Sequence, residues 1–311
     1  MAEKLPIELV DYILRLAAYQ FRFHNRSTVV KLALTSSFVY NIVAPILYER
    51  LIVESDTEVD SFSEVMDDKA VAASVLKHVR VLCSAYQLHI SSSVAAHFVK
   101  LEAVYGSINT WSSIAQAQAR SGSTIAAEVR FWTVDLPADF PQTYHHTEIQ
   151  NLTHVHSFMP NFALLHTFLE ISRDAAGWTR HILELLPRLT HLGFSHVSPE
   201  EPSDEEEAKE KDLGVFELIV KTVAACQKPC VQVLAVRLTG SAVARVEAYI
   251  RVAQAANEDW ATQRVCIWLD KREVRDWTDE VSLMAEDARR ECTIWTESKP
   301  LKLHLEAASA A

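Results

Sequence analysis

The opening fifty residues carry apolar positions at the helical period of about 3.6 residues. A first helix is predicted to open at Leu5-Pro6, because proline's fixed φ and missing N–H suit a first helical turn. Its predicted apolar face consists of Leu9, Val10, Ile13, Leu14, Leu16 and Ala17. Two shorter helices are expected to follow, so the pattern predicts a helical unit over residues 1–50.

Hydroxyl side chains and one proline set the expected limits of these two shorter helices. Ser27 or Thr28 is expected to cap the second helix, and a residue within 35–37 is expected to cap the third. Pro45 is expected to end or kink the third helix, because it removes a backbone donor and clashes with the preceding turn.

Residues 51–311 alternate short β-like runs with amphipathic helical stretches. Strand candidates centre on 79–82, 101–104, 129–132, 153–156, 166–169, 190–194, 231–236 and 265–269. Helices are expected at 58–76, 91–100, 111–121, 175–186, 212–226, 241–256 and 273–290. This alternation predicts an α/β domain whose strands are mostly parallel.

A weak internal repeat accompanies the alternation. Residues 152–155 and 189–192 share a Leu-Thr-His-aliphatic core, and residues 76–81 and 189–194 both fit L-x-x-L-x-L. Such a pattern is typical of leucine-rich repeats, in which stacked neighbours bury one another's apolar sides. The spacing drifts, since 25 residues separate Val79 from Val104 and 42 separate Leu192 from Leu234. The pattern favours an irregular leucine-rich-repeat-like strand–helix solenoid, and the alternative is a doubly wound α/β sheet.

Charge and glycine content exclude several familiar functions. The 41 acidic against 30 basic residues give a formal net charge of −11, which argues against nucleic acid as a main partner. The six glycines lie too far apart for G-x-G-x-x-G, a P-loop or G-x-S-x-G. These nucleotide-binding and nucleophile motifs are therefore excluded, and no cofactor is expected.

One segment is strongly acidic. Residues 200–212 hold eight acids and two lysines, so an acidic flexible loop is expected over 198–212. Ser203 precedes three acidic residues and is a candidate phosphorylation site for an acid-directed protein kinase.

Five scattered cysteines and the absence of an apolar run of eighteen residues favour a cytoplasmic or nuclear protein with no membrane partner. Cys83 and Cys266 lie in apolar strand runs, where burial would raise the thiol pKa and leave the sulfur unreactive. Nothing in the sequence singles out a catalytic nucleophile, and no enzymatic activity is expected.

Histidines cluster at 145–146 and again at His154 and His156. On a strand, His154 and His156 would share one face, where a third ligand such as Glu148 could complete a metal site. The favoured interpretation is that histidine occupies a repeat position, because His191 follows the same Leu-Thr pair and His166 sits similarly. No metal site is predicted.

Two segments of the first fifty residues resemble the F-box motif. The first is Leu5-Pro6-Ile7-Glu8-Leu9 with the following Ile13, similar to the family's L-P-x-E-aliphatic opening. The second is residues 32–43, where Ser36 precedes Phe38 and an aliphatic pair follows. The frequent Cys-Arg-x-Trp of the family is absent, with Ser36 and Val39 at the aligned Cys and Trp positions. Divergent fungal F-box proteins also place leucine-rich-repeat-like segments downstream of the motif.

The resemblance implies a non-enzymatic adaptor of a Skp1–cullin–F-box ubiquitin ligase. Its F-box-like module, residues 1–50, would bind a Skp1-like adaptor, and the domain over 51–311 would hold an unknown protein substrate. The expected adaptor-binding residues are Leu5, Pro6, Leu9, Ile13, Leu34, Phe38 and Ile42. Some of them must also form the module's own core, and the sequence does not divide the two roles.

Charge gives modest support for such a partner. Residues 1–53 carry a net charge of +2 and the remainder −13, so the module would be steered towards an acidic surface. Two alternatives stay open. One is an interaction scaffold of the same fold without ligase association, and the other is a small-molecule enzyme or binding protein on a doubly wound sheet, with a closed pocket at the strand C-termini.

Overall fold

The computed structural model describes residues 5–22, 25–84, 86, 88, 90–106, 108–120, 129–133, 152–159, 179–180, 183–184, 186–196, 205–225, 231–239, 243, 245–272, 277–290 and 294–304. The helices are α1 (Ile7–Phe21), α2 (Arg26–Ala33), α3 (Ser37–Leu47), α4 (Asp56–Asp67), α5 (Lys69–Leu76), α6 (Ser92–Ala95), α7 (Ile108–Arg120), α8 (Glu205–Ala225), α9 (Val246–Arg264), α10 (Trp277–Arg290) and α11 (Ile294–Glu297). The strands are β1 (Arg50–Val53), β2 (Val81–Ser84), β3 (Ala103–Gly106), β4 (Val129–Thr133), β5 (Leu152–Met159), β6 (His191–His196), β7 (Val233–Thr239), β8 (Val265–Asp270) and β9 (Lys299–Pro300).

The nine strands of the described residues form one sheet in which spatial order follows chain order. Strands β1 to β8 pair in parallel, and β9 adds to β8 in the antiparallel sense. The predicted mixed α/β class with mostly parallel strands is confirmed. A doubly wound sheet requires a reversal of strand order, and the described strands contain none.

An apolar column, made of one residue from each strand in register with its neighbours, runs across the sheet from β1 to β8. Leu51 pairs with Leu82, Val155 with Leu192, and Leu234 with Val265. The two Leu-Thr-His segments lie in register, because His154 pairs with His191, as the shared pattern predicts. The proposed match of residues 76–81 to 189–194 is wrong by three positions: Leu82, not Val79, shares the column with Leu192. This match failed because Leu76, which is the last residue of helix α5 and not part of a strand, lies at the sequence spacing that the repeat pattern requires of a leucine.

The two faces of the sheet are covered differently. The column and helices α4, α7, α8 and α9 form the main core, which includes Phe62, Trp111, Phe216 and Tyr249. The opposite face carries α10, whose buried Leu283, Met284 and Ala288 pack on Val81, Cys83, Ala103 and Tyr105 of β2 and β3.

The sheet curves around α10. In a flat sheet, six strand spacings of about 4.8 Å would separate β1 from β7 by about 29 Å. Adjacent residues of α10 nevertheless bond to both strands: Arg50 of β1 donates to the carbonyl of Ala288, and Arg237 of β7 donates to Asp287. The face that holds α10 is therefore concave, and the helix-covered face with the main core is convex.

The first three helices match the predicted order but differ in detail. Ser36, one of the expected caps, accepts from the N–H of Val39 at 3.2 Å. Helix α2 is capped by Asn25 instead of Ser27 or Thr28, because its carboxamide oxygen accepts from the N–H of Thr28. Pro45 lies inside α3, which ends two residues later at Leu47.

The acidic segment is not wholly a loop. Helix α8 begins at Glu205, so residues 205–212 of the expected loop are helical. Glutamates stabilise the first turns of a helix through the helix dipole, and they have good intrinsic helix propensity. Ser203, the rest of the expected loop, the strand candidate at 166–169 and the histidines at 145–146 lie outside the described residues.

Candidate functional site

The N-terminal helices have a hydrophobic core of their own. Ala18 of α1, Val29 and Ala33 of α2, and Val43 and Ile46 of α3 form a buried cluster that is separate from the main core. Helix α3 packs against both other helices. An ionic contact joins this unit to the sheet, since Arg22 pairs with Glu49, which also accepts from Arg80 at 2.8 Å. The unit is thus internally packed and attached beside β1.

Helix α1 exposes a stripe of large apolar side chains, which we term the α1 arc: Leu9, Tyr12, Ile13, Leu16 and Tyr19. These residues follow the i, i+3, i+4, i+7 spacing of a single helix face. They are 43–62% exposed, whereas Ala18 on the opposite side is fully buried. Contiguous exposed apolar area of this kind marks interaction surfaces in soluble proteins.

Exposed apolar side chains are concentrated in this unit. Of the sixteen large apolar residues that are exposed in the described part of the chain, eleven lie between Leu5 and Phe38. Two of them, Leu34 at 75% and Phe38 at 43%, flank the junction of α2 and α3. The helical unit, rather than the larger sheet domain, therefore offers most of the unpaired apolar surface.

The structure divides the expected adaptor-binding residues between surface and core. Leu5, Pro6, Leu9, Ile13, Leu34 and Phe38 are exposed. Ile42 is the exception: it is 6% exposed and belongs to the unit's own core, so its assignment to a docking surface is wrong. The reason is geometric, because Ile42 faces α1 and α2 from α3.

Tyr12 and Tyr19 belong to the α1 arc but were missed from the sequence. Their spacing from Leu9 and Leu16 was the available signal. Helix α1 is apolar on two sides, with Leu14 and Ala18 in the unit's own core and the α1 arc outwards. The predicted single apolar face merged residues from both sides, since periodicity alone does not separate two adjacent apolar faces.

A buried ionic cluster fixes α10 on the concave face. Arg237, fully buried, donates to Asp270 at 2.9 Å through Nε and to Asp287 at 2.8 Å through Nη1. Arg272 also bonds to both carboxylates, and the Arg237 guanidinium lies 4.0 Å from the centre of the Trp268 ring. Burial raises the pKa of Asp287 above its ordinary value, although both arginines oppose the shift. For Asp270 the arginines outweigh burial and lower its pKa.

Three histidines and a tryptophan meet further along the concave face. His154 and His191 stack with ring centres 3.9 Å apart, and Trp295 meets both rings edge-on. His156 also faces Trp295, so the predicted common face of His154 and His156 is confirmed. Gly193 makes this packing possible, because a Cβ there would lie 2.7 Å from the Trp295 ring.

Hydrogen bonds give these histidines structural roles. Thr153 and Thr190 each place a hydroxyl 2.9 and 2.8 Å from Nδ1 of the histidine that follows. His156 Nε2 lies 2.8 Å from the Ser195 hydroxyl, and burial lowers the His156 pKa well below its ordinary value. Within the described residues, no three His, Cys, Asp or Glu side chains are arranged to hold a metal ion.

Burial raises the thiol pKa of both described cysteines, as expected. Cys83 is buried on the concave side of β2, and desolvation raises its thiol pKa far above the ordinary value. Burial also raises the pKa of Cys266 in β8, where a hydrogen bond with Ser298 opposes the shift. A thiolate nucleophile is disfavoured at both positions.

Among the described helices, none combines the length and the apolarity needed to cross a membrane. Comparison with protein-family models, with curated protein sequences and with solved structures finds no match for this chain.

Proposed function

We propose that the chain is a substrate-recruiting adaptor subunit of a Skp1–cullin–F-box ubiquitin ligase. The observation that carries the proposal is the α1 arc, displayed by a helical unit with its own core and an F-box-like sequence. A separately packed unit can present apolar side chains to a partner without opening the core of the sheet domain. In this role the chain has no catalytic step of its own, and other subunits transfer ubiquitin.

The adaptor contact would use Leu5, Pro6, Leu9, Ile13, Leu34 and Phe38, together with Tyr12 and Tyr19. Tyrosines are enriched among the residues that dominate binding energy at interfaces, because they bury a large rigid ring at low entropic cost. The net charge of +2 on residues 1–53 favours an acidic partner surface over another copy of the acidic body.

For the sheet domain we propose a leucine-rich-repeat-like solenoid that holds a protein substrate. The sequential parallel strand order and the apolar column support this architecture. The ionic row at the strand starts also fits stacked repeats: Arg80, just before β2, bonds to Glu49 before β1 and to Glu102 before β3.

The proposal is tested by binding of the purified full chain to a recombinant Skp1-like adaptor in isothermal titration calorimetry. We expect Leu5→Asp combined with Leu9→Asp to weaken binding at least thirtyfold, since hot-spot truncations cost about 2 kcal/mol or more. The matched control is Leu218→Asp combined with Leu303→Asp, which changes two leucines of comparable exposure in α8 and near the C-terminus.

Both variants should keep the circular dichroism spectrum and melting temperature of the wild type, because all four leucines are exposed. A folded wild-type chain that does not bind the adaptor, or equal binding by the Leu5/Leu9 variant, would contradict the proposal. The first outcome favours an interaction scaffold of the same fold without ligase association.

A further inference from the structure

Strand β1 is the terminal strand of the described sheet and has a described neighbour on its β2 side alone. The carbonyl of Glu49 accepts from the N–H of Val81, and Arg50 is the residue paired with Val81. In a parallel ladder this places the N–H and C=O of Ile52 on the side away from β2. No described residue hydrogen-bonds to them, so this edge can accept an added strand.

Two cavities border this edge, one on each face of the sheet. Consecutive strand residues point to opposite faces, yet Leu51, Ile52 and Val53 all line the larger cavity, which therefore reaches the strand edge. Arg26, Ile52 and Glu58 line both cavities, so the two cavities are adjacent across β1. Their volumes of about 180 and 260 Å³ are below the range of about 300–1,000 Å³ typical of small-molecule sites. Each suits a single side chain.

The smaller cavity, on the concave side, is cationic. Four arginines and two glutamates line it: Arg22, Arg26, Arg50, Arg289, Glu54 and Glu58. The lining carries a net charge of +2 on a chain whose total is −11. Arg26 is exposed and forms no ion pair with a described carboxylate, unlike Arg289, which pairs with Glu54. An acidic side chain would complement this cavity.

The larger cavity, on the convex side, is mainly apolar. Val53, Phe62 and Met66 form its inner wall, and the half-exposed Val65 and Val71 form its rim. An aliphatic or aromatic side chain of a bound partner would cover this rim and bury its apolar surface. At one end of the edge the carboxylate of Glu58 accepts from the N–H of Glu54 at 2.7 Å, which leaves Ile52 as the central residue open to a partner.

We propose that the free edge of β1 binds an extended peptide segment of another protein that carries an acidic residue next to a large apolar one. The peptide adds a strand to β1 through the N–H and C=O of Ile52. Because side chains alternate along a strand, neighbouring peptide residues enter opposite cavities, the acidic one on the arginine side and the apolar one on the Phe62 side.

This inference deepens the proposed function by giving a substrate class, an acidic–apolar strand, but its residues are distinct from the α1 arc. Peptide binding is therefore measured on the full chain alone, without an adaptor. The Leu5→Asp/Leu9→Asp variant should bind peptide like the wild type. The peptide-binding proposal and the adaptor-binding proposal can therefore be refuted independently.

The experiment is fluorescence anisotropy with a fluorescein-labelled octapeptide of alternating Thr and Val that has a central Glu-Leu pair. We expect saturable binding. The affinity should fall at least tenfold when the central pair is changed to Gln-Leu or to Glu-Ser, or when the central backbone nitrogen is methylated. Arg26→Glu should lower the affinity for the Glu-Leu peptide at least tenfold and raise the affinity for a Lys-Leu peptide. Val65→Asp should abolish the preference for Glu-Leu over Glu-Ser.

Arg251→Glu on the exposed side of α9 and Val99→Asp are the matched controls, and both should bind as the wild type does. Equal binding of the Glu-Leu and Gln-Leu peptides, or unchanged binding by Arg26→Glu, overturns the proposal. A concentration-dependent dimer in light scattering that excludes the peptide also overturns it, because a second copy would then occupy the edge.

Discussion

Replacing Arg237 by methionine tests how α10 is held in the concave face. Methionine keeps much of the packing volume but removes the guanidinium that donates to Asp270 and Asp287. Asp287 is fully buried, and its remaining arginine partner is Arg272 at 2.8 Å. Removing one member of a buried ion pair costs about 3–5 kcal/mol, because the other charge stays in a poorly solvating site.

The expected loss is a large share of the about 5–15 kcal/mol that stabilises a typical folded domain. Urea unfolding followed by circular dichroism measures it. With a slope of about 3 kcal/mol per M, the midpoint should fall by about 1–1.7 M. Arg251→Met is the control, since its pair with Glu247 is 3.8 Å long and exposed, and its effect should stay within about 0.5 kcal/mol.

A double-mutant cycle separates the ion pair from general packing. Asp287→Asn alone should also destabilise the fold, but the Arg237→Met/Asp287→Asn double variant should cost at least about 1 kcal/mol less than the sum of the two. Additive effects, or a loss below about 1 kcal/mol for Arg237→Met, would refute the view that this cluster fixes α10 on the sheet.

Three further predictions concern stability. Burial holds the pKa of His156 well below 6.5, so below pH 6.5 the unfolded state binds a proton that the folded state excludes. The free energy of unfolding should therefore fall by up to about 1.36 kcal/mol per pH unit below pH 6.5. His156→Gln should flatten this part of the plot of urea midpoint against pH. Gly106 has a φ of +141°, and a Cβ there would lie 2.1 Å from the carbonyl oxygen of Ser84, so Gly106→Ala should cost about 2 kcal/mol or more in the same unfolding assay. Ile42→Ala should cost about 2–5 kcal/mol within the N-terminal unit, and limited proteolysis should then cut residues 7–47 before the sheet domain, because their cores are separate.

Local signals made the alternation of strands and helices predictable. Residues 152–155 and 189–192 carry the same pattern because they occupy equivalent positions on neighbouring strands, with His154 opposite His191. The exposure of Leu5, Leu9 and Leu34 agrees with the surface role expected from the motif. Periodicity and short motifs suffice where the structural cause lies within a few residues.

The concave face was not predictable in the same way. Arg237 interacts with residues 33 and 50 positions away, and Arg50 with one 238 positions away. Nothing in the local pattern of residues 273–290 distinguishes a helix on the convex face of the sheet from one on the concave face. A charged residue within the apolar run of β7 was the available signal, because a buried arginine requires buried carboxylates.

The central claim, that the α1 arc binds a Skp1-like adaptor, is tested most directly by hydroxyl-radical footprinting of the unaltered chain with and without that adaptor. We expect protection of Leu9, Tyr12, Ile13, Leu16 and Tyr19, with oxidation of Leu218 and Leu303 unchanged. Protection confined to the sheet domain, or no protection at a saturating adaptor concentration, would contradict the claim.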